Sequence, residues 1–335
     1  MKTLYTIFII ILLNISFLAT AQDVHFSKFY NTPLILNPAN TGNYIGNWRV
    51  ITNYRNQIQE LTNPYVTSTF AFDFPIYYYK QMASIGFIYI NDNSADNTLH
   101  ADKFYFSIAH FLKISEKSYL HMGFQVGYVF KRYSLDYLSF PDQFDMNTGS
   151  FNSDMASQEN LAASNLSYLD LNWGFIWSRN TSNLNSEIGI SMFHYNTPNE
   201  SFYGEENDLP ARYILHSYLE KKFTNNLFVK PKLLYTYHNK VNEILLGSDF
   251  GIFINHNSIK NIHIGGYYRE SFNENIGSAI VSSGFNFKNF DISISYDFEF
   301  LNQKTDYTKT AFEISIIYIR PSTNVKNKTI PCEMF

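Results

Sequence analysis

Residues Phe290–Phe300 read FDISISYDFEF. Phe290, Ile292, Ile294, Tyr296, Phe298 and Phe300 alternate without exception with Asp291, Ser293, Ser295, Asp297 and Glu299. Successive side chains of a strand point to opposite faces, so this stretch carries one apolar face and one polar face. Its residues, at about 3.3 Å each and tilted by roughly 45°, cover the hydrocarbon thickness of a bilayer. Strands of soluble domains are commonly shorter, about five or six residues. The pattern predicts a membrane-spanning strand with its even positions in lipid and Asp297 and Glu299 in a lumen. Phe290 and Phe300 then stand at the two interfaces.

Working outward, further strand-like stretches fall at 48–56, 64–74, 83–91, 103–114, 119–133, 167–178, 186–195, 211–223, 227–239, 243–254, 261–270, 279–287 and 309–319. With 290–301 they make fourteen, an even number, as an up-and-down barrel needs to bring its ends together. Met122, Phe124, Val126, Tyr128 and Phe130 oppose His121, Gly123, Gln125, Gly127 and Lys131. Leu171, Trp173, Phe175 and Trp177 oppose Asp170, Asn172, Gly174 and Ser178, with Ile176 out of step. Leu227, Val229, Leu233, Tyr235 and Tyr237 oppose Lys230, Lys232, Thr236 and His238, and Pro231 is expected to mark a bulge. Short turns such as 116–118 and 288–289 are interspersed with longer connections, the longest around 134–164, where 155–165 reads as a short helix or an ordinary loop. The fold class is all-β, a transmembrane antiparallel β-barrel spanning 47–320, with an N-terminal arm (22–46) and a polar tail (321–335).

Composition agrees. Aromatics make up 18% and charged residues 16% of the 335 residues, against a usual charged share of about 25%. Mean hydropathy is only −0.21, and after residue 21 no run approaches the apolar length of a spanning helix. A barrel spreads its apolar residues in this way. The net charge of −4 predicts no basic patch and gives no nucleic-acid partner. Residues 1–21 read as a secretory signal peptide: Lys2, the apolar stretch Ile7–Leu18, then Ala19-Thr20-Ala21, with cleavage after Ala21. The single Cys, Cys332, excludes an intrachain disulfide.

Chemistry is sparse. Asp92, Asp96 and Asp102 flank an Asn-rich loop but lack the glycine and terminal glutamate of a calcium loop, so they read as a solvated turn. The nine His are scattered, and Glu205, Glu206 and Asp208 read as exposed loop charge. No hydrolase, phosphate-loop or dinucleotide fingerprint occurs. The chain is expected to be no enzyme, with no catalytic, cofactor-binding or metal-ligating residue. Lumen candidates are Asp297, Glu299, Lys131, Lys230 and Lys232. The aromatic group His25, Phe26, Phe29 and Tyr30 in the arm has two readings, packing against or inside the barrel and a flexible leader.

The arm and first strand read Gln22-Asp23-Val24-His25-Phe26-Ser27-Lys28-Phe29-Tyr30, then Pro33, Asn37-Pro38-Ala39, Gly42 and Asn53-Tyr54-Arg55-Asn56-Gln57. This resembles the start of the PorP/SprF family of the type IX secretion system. Asp142-Gln143, Arg212-Tyr213 with His216, Ala311-Phe312-Glu313-Ile314 and the end Pro331-Cys332-Glu333-Met334-Phe335 fit the same family. Pro141 departs from an expected glycine and Glu333 from an expected proline. The resemblance implies an outer-membrane barrel of Bacteroidota-type bacteria that associates with the periplasmic ring lipoproteins of the machinery. It also implies a partner: the C-terminal domain of a secreted adhesin of the gliding type, which the barrel docks, helps export or anchors. The lumen of such a barrel is expected to be blocked by the arm 22–46 or by the 134–164 segment. The candidate plug and partner residues are His25, Phe26, Phe29, Tyr30, Pro33, Asn37, Pro38, Asn53, Tyr54, Arg55 and Asn56, and outer-membrane lipid surrounds the wall. A substrate-specific outer-membrane channel and a secreted glycan-binding sandwich are the rival readings.

Overall fold

The computed structural model describes residues 25–57, 64–78, 81–94, 98–133, 141–146, 149–151, 165–202, 204, 206–224, 226–254, 258–272, 276–301 and 310–322. Residues 1–21, read above as a signal peptide, the helix-or-loop stretch 155–164, Asp96, Glu205 and Cys332 lie outside them. The strands in chain order are β1 (Trp48–Gln57), β2 (Tyr65–Tyr78), β3 (Gln81–Asn93), β4 (Leu99–Lys113), β5 (Ser118–Tyr133), β6 (Phe144–Asp145), β7 (Ser150–Phe151) and β8 (Asn165–Asn180). Then follow β9 (Leu184–Phe193), β10 (Arg212–Lys222), β11 (Leu227–His238), β12 (Val241–Phe253), β13 (Ile259–Ser271), β14 (Ile276–Phe287), β15 (Phe290–Leu301) and β16 (Thr310–Arg320). All but β6 and β7 form one closed antiparallel barrel of 14 strands, with β1 paired to β16 from Trp48↔Arg320 to Gln57↔Ala311. Closure leaves no strand edge in the hydrocarbon.

The outer face is made by the alternation itself. On β15, Phe290, Ile294, Phe298 and Phe300 are exposed, whereas Ser293, Ser295 and Asp297 are buried. The same holds for Phe104, Phe106 and Ile108 on β4 and for Phe124, Val126 and Tyr128 on β5. These outward side chains form the apolar belt that a lipid-facing wall requires.

Connection lengths sort by end. Turns at 79–80, 114–117, 181–183, 223–226, 254–258 and 288–289 share the end at which β1 begins and β16 stops. The opposite end carries all the longer connections, 58–64, 134–164, 194–211 and 302–309, together with the short ones 94–98, 239–240 and 272–275. Asn239 and Lys240 there both have positive φ, 47° and 66°, as a two-residue hairpin of matching twist demands. Short turns face the periplasm in outer-membrane barrels, so the long connections face outward from the cell. The long excursion holds a 3-10 turn at Pro141–Gln143 and the small hairpin β6–β7, which the alternation pattern did not predict.

Two expectations are corrected. Pro231 makes no bulge: it stays in register with Ser248 on β12, and pairing to β10 resumes in the same register on either side of it. A proline removes one donor without adding a residue, so the ladder gaps but does not slip. The register shift lies instead at Ile259/Asn261. The net charge also conceals an uneven distribution, because it averages over two ends. Exposed Lys113, Lys117, Arg179, Lys221, Lys260, Lys288 and Arg320 crowd the short-turn end.

Ile294→Arg and Ile264→Arg each place a charge in the middle of the apolar belt, at side chains 46% and 64% exposed. Each should lose about 2–4 kcal/mol of stability, read by denaturant unfolding in bilayers. Unchanged stability of Ile294→Arg would show the faces to be reversed.

Candidate functional site: the plugged lumen

The lumen is filled by the arm. Ser27 and Lys28 sit in the half of the barrel nearer the long connections, beside the far ends of β1, β15 and β16. From there the chain descends and leaves at the other end, where the Asn47 amide donates to the Arg320 carbonyl over 2.8 Å. On the way Pro33 opens a one-turn helix, Pro33–Leu36, where its missing N–H costs nothing. Asn37 caps the following 3-10 turn, Pro38–Asn40, its Oδ1 accepting from the Ala39 amide at 2.9 Å.

Two apolar clusters join arm to wall. Phe26 and Leu34 pack with Ile51, Ile88, Ile90, Tyr105 and Val129. Phe29 and Leu36 pack with Phe193, Ile214, Leu245, Tyr267 and Ile280. Burying a Leu or Phe side chain contributes about 1.5–3 kcal/mol, so these contacts hold the arm against its lost freedom. Ile176, out of step in the sequence, points into this interior and is wholly buried.

Glycines on the inner wall make room for the turn. Gly123 and Gly174 face each other on β5 and β8. A Cβ on Gly123 would stand 2.2 Å from the Ala39 nitrogen, and one on Gly174 2.0 Å from Asn37 Oδ1. Backbone cannot yield as a flexible side chain does, so any larger residue here displaces the arm. Gly42, at φ 74°, supplies the left-handed position that turns the arm toward β1 and leaves no room for a Cβ beside Ser84.

Polar contacts tie the same chain to distant strands. Asn37 Nδ2 reaches the carbonyls of Phe175 (3.2 Å) and Ile190 (3.1 Å) and His216 Nε2 (3.2 Å). Tyr30 OH meets the other ring nitrogen of His216 at 3.2 Å. Near the outward end the Ser27 amide donates to Glu313 Oε1 at 2.7 Å and the Lys28 amide to Oε2 at 3.1 Å. Ser27 Oγ bonds Asp297. Arg55 pairs with Glu313 and, at 3.4 Å, with Asp297, which also takes Arg269 at 3.4 Å. All four charged groups are buried. Lower down, Arg49 grips Asp73 through two bonds (3.0 and 2.7 Å), and the Gly42 amide donates to the same carboxylate at 2.7 Å. Arg49 also donates to the Asn40 carbonyl at 3.0 Å. Carboxylate–guanidinium pairs of this kind make charge-assisted bonds that offset part of the cost of burial, although Asp297 Oδ1 is left without a hydrogen-bond partner among the described residues.

The residues named from the sequence divide as follows. His25, Phe26, Phe29, Tyr30, Pro33, Asn37 and Pro38 lie in the lumen with the arm, and Asn53 and Arg55 point inward from β1, Asn53 donating to Thr69 at 3.1 Å. Tyr54 and Asn56 occupy the outward positions of β1, Tyr54 at 39% exposure, and make no part of the plug. Of the lumen candidates, Asp297 joins the arm directly. Lys232 pairs with Asp249 at 2.6 Å and lies over the Tyr30 ring at 5.5 Å. Lys230 pairs with Glu220 at 2.9 Å, Lys131 with Glu200 of the 194–211 connection, and Glu299 is half-buried on the inward face. The sequence reading missed Arg49, Asp73, Arg269 and the glycine pair as site residues; Glu313 and His216 stood in its motifs without a role. Among the described residues no group of His, Cys, Asp and Glu is arranged to hold a metal.

The family model described as "Type IX secretion system membrane protein PorP/SprF" matches residues 18–318. The chain belongs to the PorP/SprF family. It is thus an outer-membrane β-barrel of the type IX secretion system. No curated protein sequence matches it. Among solved structures, a deltaS2S3 mutant of the TodX monoaromatic hydrocarbon channel is similar at TM-score 0.54 and 9% identity, over 86% of this chain and 93% of that one. The Ralstonia pickettii toluene transporter TbuX gives TM-score 0.49 and 10% identity, over 87% and 94%. At 9% identity the TodX likeness is one of fold alone.

Arg55→Met should leave Glu313 and Asp297 buried beside a single cation, Arg269. The loss should be about 3–5 kcal/mol, read by unfolding, with faster protease cleavage of the arm. A second expectation concerns pH. Burial lowers the Lys28 ammonium from 10.5 to about 8, partly opposed by Asp249, Asp291 and Glu313, with Lys232 adding to the fall. Tyr30, buried beside it, is pushed well above its ordinary value and stays protonated. Between pH 8 and 10.5 the undocked arm therefore binds more protons than the docked one. Docking should strengthen as pH rises through that window and carry the full cost of the charge below it. Protease protection of the arm should rise accordingly, and Lys28→Met should flatten the rise.

Proposed function

We propose that this PorP/SprF protein is a closed docking barrel rather than an open pore. On this reading the outward rim receives the C-terminal domain of a secreted surface protein of the gliding-adhesin type. The periplasmic end engages the ring lipoproteins of the secretion machinery, and the barrel helps export or anchor the cargo. One observation carries the reading: the lumen is occupied by residues 25–47, bonded to the wall near both ends and packed against it between them. A solute channel needs a path through that space. The long connections at the outward end, with the exposed Phe144 and Phe151 of the β6–β7 hairpin, offer contact surface for a β-rich partner.

Single-channel recording from the purified intact barrel should give closed traces. Gly123→Leu, which the arm cannot accommodate, should give stepwise conductance while the barrel still migrates as a heat-modifiable band; deletion of residues 22–46 should do the same. Large, steady conductance from the intact protein would favour the substrate-specific channel instead. Affinity capture from the native outer membrane should recover a large secreted protein, and recovery of none would count against the docking role.

A further inference from the structure

The short-turn rim carries exposed Lys117, Arg179, Lys221, Lys260, Lys288 and Arg320, and the exposed carboxylate described there is Glu116. None of these six cations forms an ion pair in the described residues. The opposite rim is mixed, with Arg132 and Lys240 exposed alongside Asp142, Glu206 and Asp208. Position is as telling as charge. Arg179, Lys221, Lys260 and Arg320 occupy outward strand positions, each one strand repeat below an apolar belt residue: Trp177, Leu219, Ile262 and Tyr318. They stand at the radius of the surrounding lipid, not under the mouth of the lumen, where a protein bound across the opening would sit.

We propose that this rim is a binding ring for anionic glycerophospholipid headgroups in the periplasmic leaflet. The belt ends where acyl chains give way to phosphate, and a cation on a flexible stem directly below an apolar side chain meets that phosphate while its methylenes remain against hydrocarbon. Lys and Arg on exposed turns reach the same plane. A zwitterionic headgroup offers the phosphate together with its own ammonium, whereas phosphatidylglycerol offers the phosphate alone, so the ring selects the latter. The inference rests on the barrel and the direction of its outer face; it stands whether or not the barrel docks cargo.

Tryptophan makes the site observable. Trp48 pairs directly with Arg320 across β1–β16, and Trp177 lies two residues from Arg179 on the same face. The full-length protein is reconstituted in phosphatidylcholine bilayers containing a small fraction of dansyl-phosphatidylglycerol or of dansyl-phosphatidylcholine. Energy transfer from tryptophan should be several-fold greater to the glycerol probe. The preference should collapse when salt is raised from about 0.01 M to about 1 M, which shortens the screening length from roughly 30 Å to roughly 3 Å. It should also fall to near equality in the variant combining Arg179→Gln, Lys221→Gln, Lys260→Gln and Arg320→Gln, and persist in Arg132→Gln at the other rim. Equal transfer to both probes by the wild-type protein would overturn the proposal and leave the ring to an acidic protein surface. A preference that survives high salt would overturn it too, and that arm holds even if the fourfold variant fails to insert.

Discussion

The turn Asn37-Pro38-Ala39 presses into the space left by Gly123 and Gly174, and most of the interior follows from that contact. A barrel of fourteen strands is wider than its own inward side chains can fill. Something must occupy the middle or the middle is water. Here a short turn reaches the wall closely enough for one amide group, Asn37 Nδ2, to meet carbonyls on β8 and β9 and a histidine on β10. Its carbonyl oxygen caps the same turn. The wall is therefore bridged across three strands by a single side chain, and the glycines are what let it come near.

The ionic contacts have a different role from the apolar ones. Taking Arg55, Glu313, Asp297 and Arg269 out of water is expensive, and such clusters often do no better than break even with apolar residues of equal volume. What they add is selection. The Ser27 and Lys28 amides are accepted by the two oxygens of one carboxylate. A slide of the arm by one residue would therefore leave a buried acceptor and two buried donors unmatched. The apolar clusters make the arm stay in the lumen, and the charges decide where in the lumen it stays.

The same division explains what could be read from the sequence. Phe290–Phe300 alternates so cleanly because its inner face meets a polar stretch of the arm: Asn31 donates to Ser293 at 2.7 Å and Ser27 bonds Asp297. On β3 the outward residues Ile85, Phe87 and Tyr89 are interleaved with Gly86, Ile88 and Ile90, whose faces meet Leu34 of the arm. Both faces of that strand are apolar or small, and the period-two signal fades. Weak alternation thus marked the part of the wall that faces the arm's apolar residues, whereas its polar residues meet a strand that alternates cleanly. Strand number and outward faces were legible from local pattern. The Arg55–Glu313 pair was not, since it joins residues 258 positions apart, and only the closure of β1 on β16 makes them neighbours.

Tethering near both ends constrains any route through the barrel. Asn47 is bonded to Arg320 where the arm becomes β1, and Ser27 and Lys28 are held by Glu313 nearer the outward rim. The arm cannot swing out from its periplasmic end without breaking the Arg49–Asp73 grip and the Asn47 bond at the root of β1. Withdrawal from the outward end requires the four-charge cluster to open and the Asn37 turn to leave its niche. Both routes give up apolar burial as well as ionic contacts in a low-dielectric space. A partner that merely touches the rim supplies no differential binding energy between plugged and unplugged states, and so cannot shift that balance. On the proposed docking role, either cargo is handled outside the lumen, at the long connections, or its binding must replace the contacts that Ser27 and Lys28 make with Glu313 and Asp297. The carboxylates then become the place where an incoming chain would compete with the barrel's own arm.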